Sequence, residues 1–308
     1  MEFAQKALLK KKEIRGVLRD ALEYYVSDWK DYTHPGLFSL ACEAVGGDLD
    51  KTVEVQAVTA MIAAALDIHD DIIDGSKTKH GRPTVFGKYG QDVSLILGDV
   101  FYVYGFTLLD ETSTKLSKRE IAEISRTYRR ALFELGSAHA LERRLKGKMS
   151  IAPDEYMQIL EVKAASVEAD MRLGAIVGKG TDVEVDALTK YGRIIGTLAV
   201  LREEFIDLFE VEELSHRIHK ECLPIPLLYS LQNRESKTKL QNLLTKPHLA
   251  KIDVDELLDT VFKAKGVKAL KRSMKNLVRE SLSLLSEVSD TKAKKVLLNL
   301  PVFLLEDL

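Results

Sequence analysis

One helical segment restricts the fold of this chain more than any other part of it. The apolar run Met61 to Leu66 leads straight into Leu-Asp-Ile-His-Asp-Asp-Ile-Ile-Asp at 66–74. Asp67, Asp70, Asp71 and Asp74 are spaced so that an α-helix puts all of them on one stripe. A helix apolar enough to be buried therefore ends in four carboxylates. At about 6 Å and an effective dielectric of about 20, each pair repels by roughly 3 kcal/mol. Some must stay protonated or be neutralised by cations. Hard divalent cations take oxygen ligands, and Mg²⁺ usually shares its shell with substrate phosphates. The plain alternative is a solvated acidic helix end. That alternative leaves unexplained why acids stand near a helix C-terminus, where they oppose the macrodipole. The loop that follows carries Lys77, Lys79, His80 and Arg82, which suit an anion.

The remaining pattern is helical. The seven prolines fall mostly between long helical periods, and no strand alternation is sustained. The periodicity predicts a first helix over about 3–29, one after Pro35 ending at Gly46-Gly47, and one over 51–74. A loop over 75–90 precedes a very apolar helix at 94–109 and an amphipathic one at 117–146. Pro153 opens a helix ending near Gly178, and another covers 182–209. Five more are expected at 221–232, 236–244, 254–263, 267–287 and 290–300. About a dozen helices, no sheet and no convincing linker make 1–308 a single all-α domain.

A second acidic group, Glu203, Glu204 and Asp207, follows the apolar run Ile194 to Leu201. Taken alone it reads as a surface pair at a helix end. Beside the first cluster it suggests a cradle for divalent ions and one diphosphate. Lys163 and Lys220 could complete a cage, although each also reads as an ordinary surface lysine. Ala63-Ala64-Ala65 leaves room for a long apolar chain beside the helix, so Ala65 is a candidate for lining a tunnel; core packing explains the run equally well. His69, His80 and His139 lack zinc spacing. The net charge of −2 argues against a nucleic-acid binder. Cys42 and Cys222 form no disulfide framework, which points to a cytoplasmic location. The longest apolar run, 94–109, is interrupted by Asp99, so no transmembrane segment is expected.

In their order, these segments resemble the trans-isoprenyl diphosphate synthases, the polyprenyl synthetases, from about Pro35 to the C-terminus. His69 to Asp74 looks like that family's first aspartate-rich motif, followed by its Gly81, Pro83 and Thr84. Gly98-Asp99 matches a Gly-Asp at a helix start. Glu203-Glu204-Phe-Ile-Asp207 resembles the second motif, with Glu for its first two Asp. Lys163 stands at the family's Lys-Thr, with Ala164 for Thr, and Lys220 precedes Leu223-Pro224. The resemblance implies an isoprenoid-synthase bundle around a central cavity and Mg²⁺ as cofactor. It implies Asp70, Asp71, Asp74, Glu203, Glu204 and Asp207 as metal ligands. It further implies Lys79, Lys163 and Lys220 on the diphosphate of an allylic prenyl diphosphate, with Asp70, Asp71 and Lys163 in the catalytic set.

The departures cluster. The family's isopentenyl diphosphate segment, Gly-Lys-Arg-x-Arg-Pro, is Lys30-Asp31-Tyr32-Thr33-His34-Pro35 here. An expected histidine is Ala63, paired arginines are Lys79 and His80, and a Phe-Gln pair is Ala199-Val200. The expected function is that of a divergent prenyltransferase with an altered isopentenyl site. Two alternatives stay open: a terpene-synthase-like lyase needing no isopentenyl diphosphate, and a non-catalytic subunit of a hetero-oligomeric synthase. A homodimer, or a heteromer with a related subunit, is expected.

Overall fold

The structure is a computed structural model that describes residues 1–308 apart from 80, 113–115, 247 and 307; the side chain of Lys51 also lies outside the description. The all-α expectation holds. The helices are α1 (Glu2–Leu9), α2 (Val17–Val26), α3 (Thr33–Ala44), α4 (Val53–Asp74), α5 (Val85–Thr112), α6 (Lys118–Leu145), α7 (Pro153–Lys163) and α8 (Ala165–Val177). They continue with α9 (Asp182–Ile206), α10 (Val211–Lys220), α11 (Ile225–Leu231), α12 (Arg234–Leu244), α13 (Lys251–Lys263), α14 (Lys265–Leu284) and α15 (Lys292–Phe303). The chain packs as two compact units. The first is Met1–Thr127, Asp170–Val185 and Thr291–Ala293; the second is Tyr128–Ala169, Asp186–Asp290 and Lys294–Leu308.

Several expected helices are interrupted for local reasons. The first is broken between Leu9 and Val17, where Gly16 adopts φ 58° as the N-cap of α2. Pro35 lies inside the first turn of α3 and does not open it. The helix expected from Pro153 to Gly178 is divided at Ala164 into α7 and α8. The stretch 211–220, expected as a connection, is α10. The expected absence of a sheet also fails in one place. β1 (Thr78–Lys79) and β2 (Arg82–Pro83) form an antiparallel ribbon, pairing Thr78 with Pro83 and Lys79 with Arg82.

In the first unit, α4 packs closely along α5. Gly98 and Gly105 make that approach possible. A Cβ on Gly105 would sit 3.5 Å from both Met61 and Ile62, and one on Gly98 would strike the His69 imidazole. Gly98-Asp99 therefore stands in mid-helix, against the expected helix start. Met61, Ile68, Leu97 and Phe101 are fully buried at or near this contact, and burying side chains of this size contributes about 1.5–3 kcal/mol each. The helix α4 ends where Gly75 takes the left-handed conformation, φ 75°, that an L side chain rarely adopts. Thr84 then starts α5: its Oγ1 accepts from Gly87 N at 2.9 Å and donates to Ser76 O at 2.7 Å.

The apolar run expected at 94–109 lies within α5. Among the described residues, Val85–Thr112 alone is long and apolar enough to cross a membrane by length and composition. It contains a non-helical residue, Gly90, at φ 83°. In the second unit the core is built on Tyr156, Leu160, Tyr191 and Phe205, all fully buried. Tyr191 anchors α15 by donating to Leu297 O at 2.6 Å. Gly196 lets α9 pass against Ala164, whose Cβ would lie 2.8 Å from an added Cβ.

Candidate functional site

The stripe on α4 forms as the spacing predicts. Asp71 is buried, Asp70 and Asp74 are half-buried, and Asp67 is exposed. Lys79 reaches back from the ribbon and ties two of them together, its Nζ lying 2.8 Å from both Asp67 Oδ1 and Asp71 Oδ1. Burial pushes the Asp71 carboxyl up to about 6, and Asp67 and Asp70 add to that push against the pull of Lys79. Burial disfavours the Lys79 ammonium, yet Asp67 and Asp71 outweigh it and hold the group above its ordinary range. His80 lies outside the described residues.

The second cluster takes a different form. Glu203 is exposed, whereas Glu204 is buried and Asp207 largely so. Both are bound to Arg217, a buried guanidinium on α10. Arg217 Nη2 donates to Glu204 Oε1 at 2.7 Å and to the Tyr156 hydroxyl at 3.1 Å; Nε donates to Cys222 O at 2.9 Å; Nη1 contacts Asp207 Oδ2. The other Glu204 oxygen, Oε2, accepts from Ile225 N at 2.7 Å. Burial raises the Asp207 carboxyl to about 6 in spite of Arg217, with Glu204 and Glu213 adding to the rise. Lys163 joins the same network at one remove. Its Nζ is 2.5 Å from Glu142 Oε2, and Glu142 Oε1 accepts from Tyr156 at 3.0 Å. Lys220 is exposed at the end of α10.

Donor chemistry therefore separates the two clusters. The first offers only carboxylate oxygens, as a hard cation prefers. It also contains a buried oxygen, Asp71 Oδ1, that receives no directed hydrogen bond although Lys79 stands beside it. Donors of this type suit Mg²⁺. In the second, the oxygens of Glu204 and one of Asp207 are already engaged by Arg217, Tyr156 and backbone, leaving Glu203 the exposed carboxylate. Among the described residues, no three acidic, histidine or cysteine groups are placed to enclose one cation.

The positions where the sequence departs from the expected acceptor segment come together. Lys30, Asp31, Thr33, His34 and Ala63 all line one cavity of about 820 Å³ in the first unit, with Asp71 and Lys79 in the same wall. Each described cation of that wall has a carboxylate partner. Lys30 Nζ is 3.1 Å and Arg82 Nη1 is 2.8 Å from Asp28, Lys79 holds Asp67 and Asp71, and His34 Nδ1 is 2.6 Å from Asp170 Oδ2. Burial opposes the His34 charge, but the Asp170 pair and the nearby Asp31 lift the imidazole to about 9. Ala64 lines the cavity beside Ala63. Ala65, the expected tunnel residue, is fully buried and is not part of this wall.

Sequence reasoning passed over Arg217, Tyr156, Asp170 and Trp29. Only Arg217 left a signal, since Leu214, Arg217 and Ile218 fall on one side of α10, an odd place for an unpaired arginine.

The whole chain superimposes on geranylgeranyl pyrophosphate synthetase from Pyrococcus horikoshii, with a TM-score of 0.87 at 21% identity, covering 100% of this chain and 96% of that one. The short chain isoprenyl diphosphate synthase of Methanothermobacter thermautotrophicus is 28% identical over 195 residues, 63% of this chain and 59% of its own length. The chloroplastic geranylgeranyl pyrophosphate synthase of Capsicum annuum is 26% identical over 245 residues, 73% and 66% of the respective lengths. The matches thus span less than two-thirds of these relatives. Residues 15–261 match the family model described as polyprenyl synthetase. That match covers most of the chain, which belongs to the polyprenyl synthetase family.

Proposed function

We propose that the chain is a divergent prenyltransferase that binds an allylic prenyl diphosphate with Mg²⁺ and no longer holds isopentenyl diphosphate in the family's manner. The observation that carries this is the self-neutralised cavity at Lys30 to His34. A diphosphate entering there would have to strip Lys30, Arg82, Lys79 or His34 from a carboxylate and would face Asp31. Charge-assisted contacts are worth roughly 1.5–3 kcal/mol each, so the loss of several is decisive for affinity.

The allylic diphosphate is assigned to the first cluster, with Asp70, Asp71 and Asp74 as metal ligands and Glu203, Glu204 and Asp207 as the expected second set. Glu204 can serve only after leaving Arg217 and the Ile225 N–H, whereas Asp207 has only Oδ2 engaged by Arg217 and Glu203 is exposed. Bound Mg²⁺ would supply positive charge to the departing diphosphate. Lys79, Lys163 and Lys220 are assigned to the same phosphates. Lys79 would exchange Asp67 and Asp71 for phosphate oxygens as the ligand arrives. The same cavity supports a second reading, the terpene-synthase-like lyase, because that chemistry needs no second diphosphate.

The exposed apolar side chains Leu95, Ile96, Val103 and Phe106 on α5 support association with a second copy or a related subunit. The two cysteines, buried and free, support a reducing, cytoplasmic location. The test is incubation of the pure protein with Mg²⁺ and radiolabelled allylic diphosphates, with and without isopentenyl diphosphate. Diphosphate release independent of isopentenyl diphosphate supports the lyase. An elongated product at low isopentenyl diphosphate concentration would overturn the altered-acceptor reading, and no turnover with tight allylic binding would point to the non-catalytic subunit.

A further inference from the structure

The guanidinium of Arg217 stands where a divalent ion would have to stand to use Glu204 and Asp207 together. Glu204 is in the last turn of α9, and Asp207 follows just beyond it. Arg217 bridges the two: Nη2 donates to Glu204 Oε1 at 2.7 Å, and Nη1 contacts Asp207 Oδ2. The guanidinium is also fixed from its other side. Nε donates to Cys222 O at 2.9 Å and lies 3.4 Å from Glu221 Oε2, and Nη2 donates to the Tyr156 hydroxyl at 3.1 Å. Arg217 is 7% exposed, and an arginine keeps its charge in a protein. Its place therefore does not depend on the two carboxylates alone.

Glu204 is equally fixed, because its Oε2 accepts from Ile225 N at 2.7 Å. With Arg217 in place, the cluster offers an arriving ion the exposed Glu203 and Asp207 Oδ1. Mg²⁺ demands a near-octahedral shell of oxygens at about 2.0–2.1 Å. Two carboxylates beside a buried guanidinium make a poor shell unless the ion brings phosphate oxygens of its own. The first cluster is held differently. Its resident cation, Lys79, is an exposed side chain on the ribbon, a point charge on a flexible stem that moves aside easily.

Resting on the reading of both clusters as metal ligands, we propose that Arg217 is a positioning residue that makes divalent-ion binding at the second cluster conditional on diphosphate. The guanidinium is the resident cation there. The cluster takes up no divalent ion by itself and gains one only together with the phosphate oxygens of a ligand. An ion bound without diphosphate belongs to the first cluster.

Mn²⁺ is a suitable probe, because the free ion is counted directly by electron paramagnetic resonance. Full-length protein is titrated at neutral pH with and without inorganic pyrophosphate. Without pyrophosphate, Glu203→Gln, a change at an exposed position, should leave Mn²⁺ binding unchanged; with pyrophosphate it should weaken it. Arg217→Met without pyrophosphate should bind one additional Mn²⁺ per chain, at least about tenfold tighter than any second ion on wild type, since a charge-assisted competitor is gone. Adding Glu204→Gln should remove that ion again. Mn²⁺ should also raise the melting temperature of Arg217→Met more than that of wild type, a shift that a purely structural role for Arg217 does not produce. No additional Mn²⁺ on folded Arg217→Met, an additional ion that survives Glu204→Gln, a loss of binding in Glu203→Gln without pyrophosphate, or no loss with it would each overturn the proposal. The Glu203→Gln comparison leaves Arg217 untouched, so it decides even if Arg217→Met does not fold. Asp70→Asn keeps the two readings apart. It should weaken the Mn²⁺ binding seen without pyrophosphate; if it does not, the first cluster fails as a metal site while the Arg217 comparison still stands.

Discussion

Arg217 gives the sharpest test of how the second acidic cluster is held. The substitution Arg217→Met keeps much of the apolar stem and removes the guanidinium. Glu204, 5% exposed, and Asp207 then lose their buried counter-charge. Removing one partner of a buried ion pair typically costs about 3–5 kcal/mol, chiefly because the survivor is left charged in a poor solvent. At about 2.1 cal/mol/K of unfolding entropy per residue, a chain of 308 residues would lose about 5–8 °C in melting temperature at neutral pH if it unfolds in one step. The sign with pH is fixed. Burial already holds Asp207 at about 6 against the pull of Arg217. Without that pull, the folded-state value moves further above the unfolded one. A carboxyl raised in this way destabilises the fold at pH above its folded value, and the penalty shrinks as the pH falls through it. The deficit should therefore be largest near pH 7–8 and much smaller near pH 5. Adding Glu204→Gln to Arg217→Met should recover part of it, because the two positions are coupled. Thermal melts of the single and double variants across that range provide the assay. A loss below about 2 °C at neutral pH, or one that grows on acidification, would refute the reasoning.

Three further outcomes are expected. Lys79→Ala should tighten Mg²⁺ binding measured calorimetrically without diphosphate, because the cation no longer competes for Asp67 and Asp71; weaker binding would remove Lys79 as the resident counter-ion. His34→Gln should abolish a stabilisation of up to about 3 kcal/mol that is full below about pH 6.5 and vanishes as the pH rises through 9, so denaturant melts of wild type and variant should converge at high pH. Ala65→Phe should behave as overpacking of a closed core, lowering stability by about 1–3 kcal/mol in the same melts; retained stability with weakened binding of long prenyl diphosphates would reinstate it as a tunnel residue.

The sequence made the helices, the α4 carboxylate stripe and the order of the family segments legible, because each depends on local period and spacing. Asp71 could be placed on a buried helix from Met61 to Leu66 alone. What could not be read was long-range pairing. Arg217 stands ten residues after Asp207 and Asp170 stands 136 residues after His34, and no periodicity links either pair. The second cluster consequently read as a set of available ligands when two of its three carboxylates are already held. The replaced acceptor segment was visible as a loss of cations. That the replacements line one cavity, and neutralise it from within, required the fold. The ribbon at 78–83 was hidden because two-residue strands carry no alternation to detect.

The ribbon also makes this region respond differently to two kinds of genetic change. Lys79 and Arg82 are cross-strand partners. One holds the α4 carboxylates; the other holds Asp28, donates to Tyr24 O at 2.9 Å and stacks on the Tyr24 ring, while Tyr24 returns a hydrogen bond to Pro83 O at 2.6 Å. Pairing in a ribbon has a period of two, so a slip of one residue turns every side chain to the opposite face. Insertion or deletion of a single residue between Gly75 and Thr84 would therefore withdraw both cations at once, an effect no point substitution there can match. Homologous drift in this segment should be rich in replacements and poor in changes of length, and in a library of variants its length will be inherited as strictly as the aspartates before it.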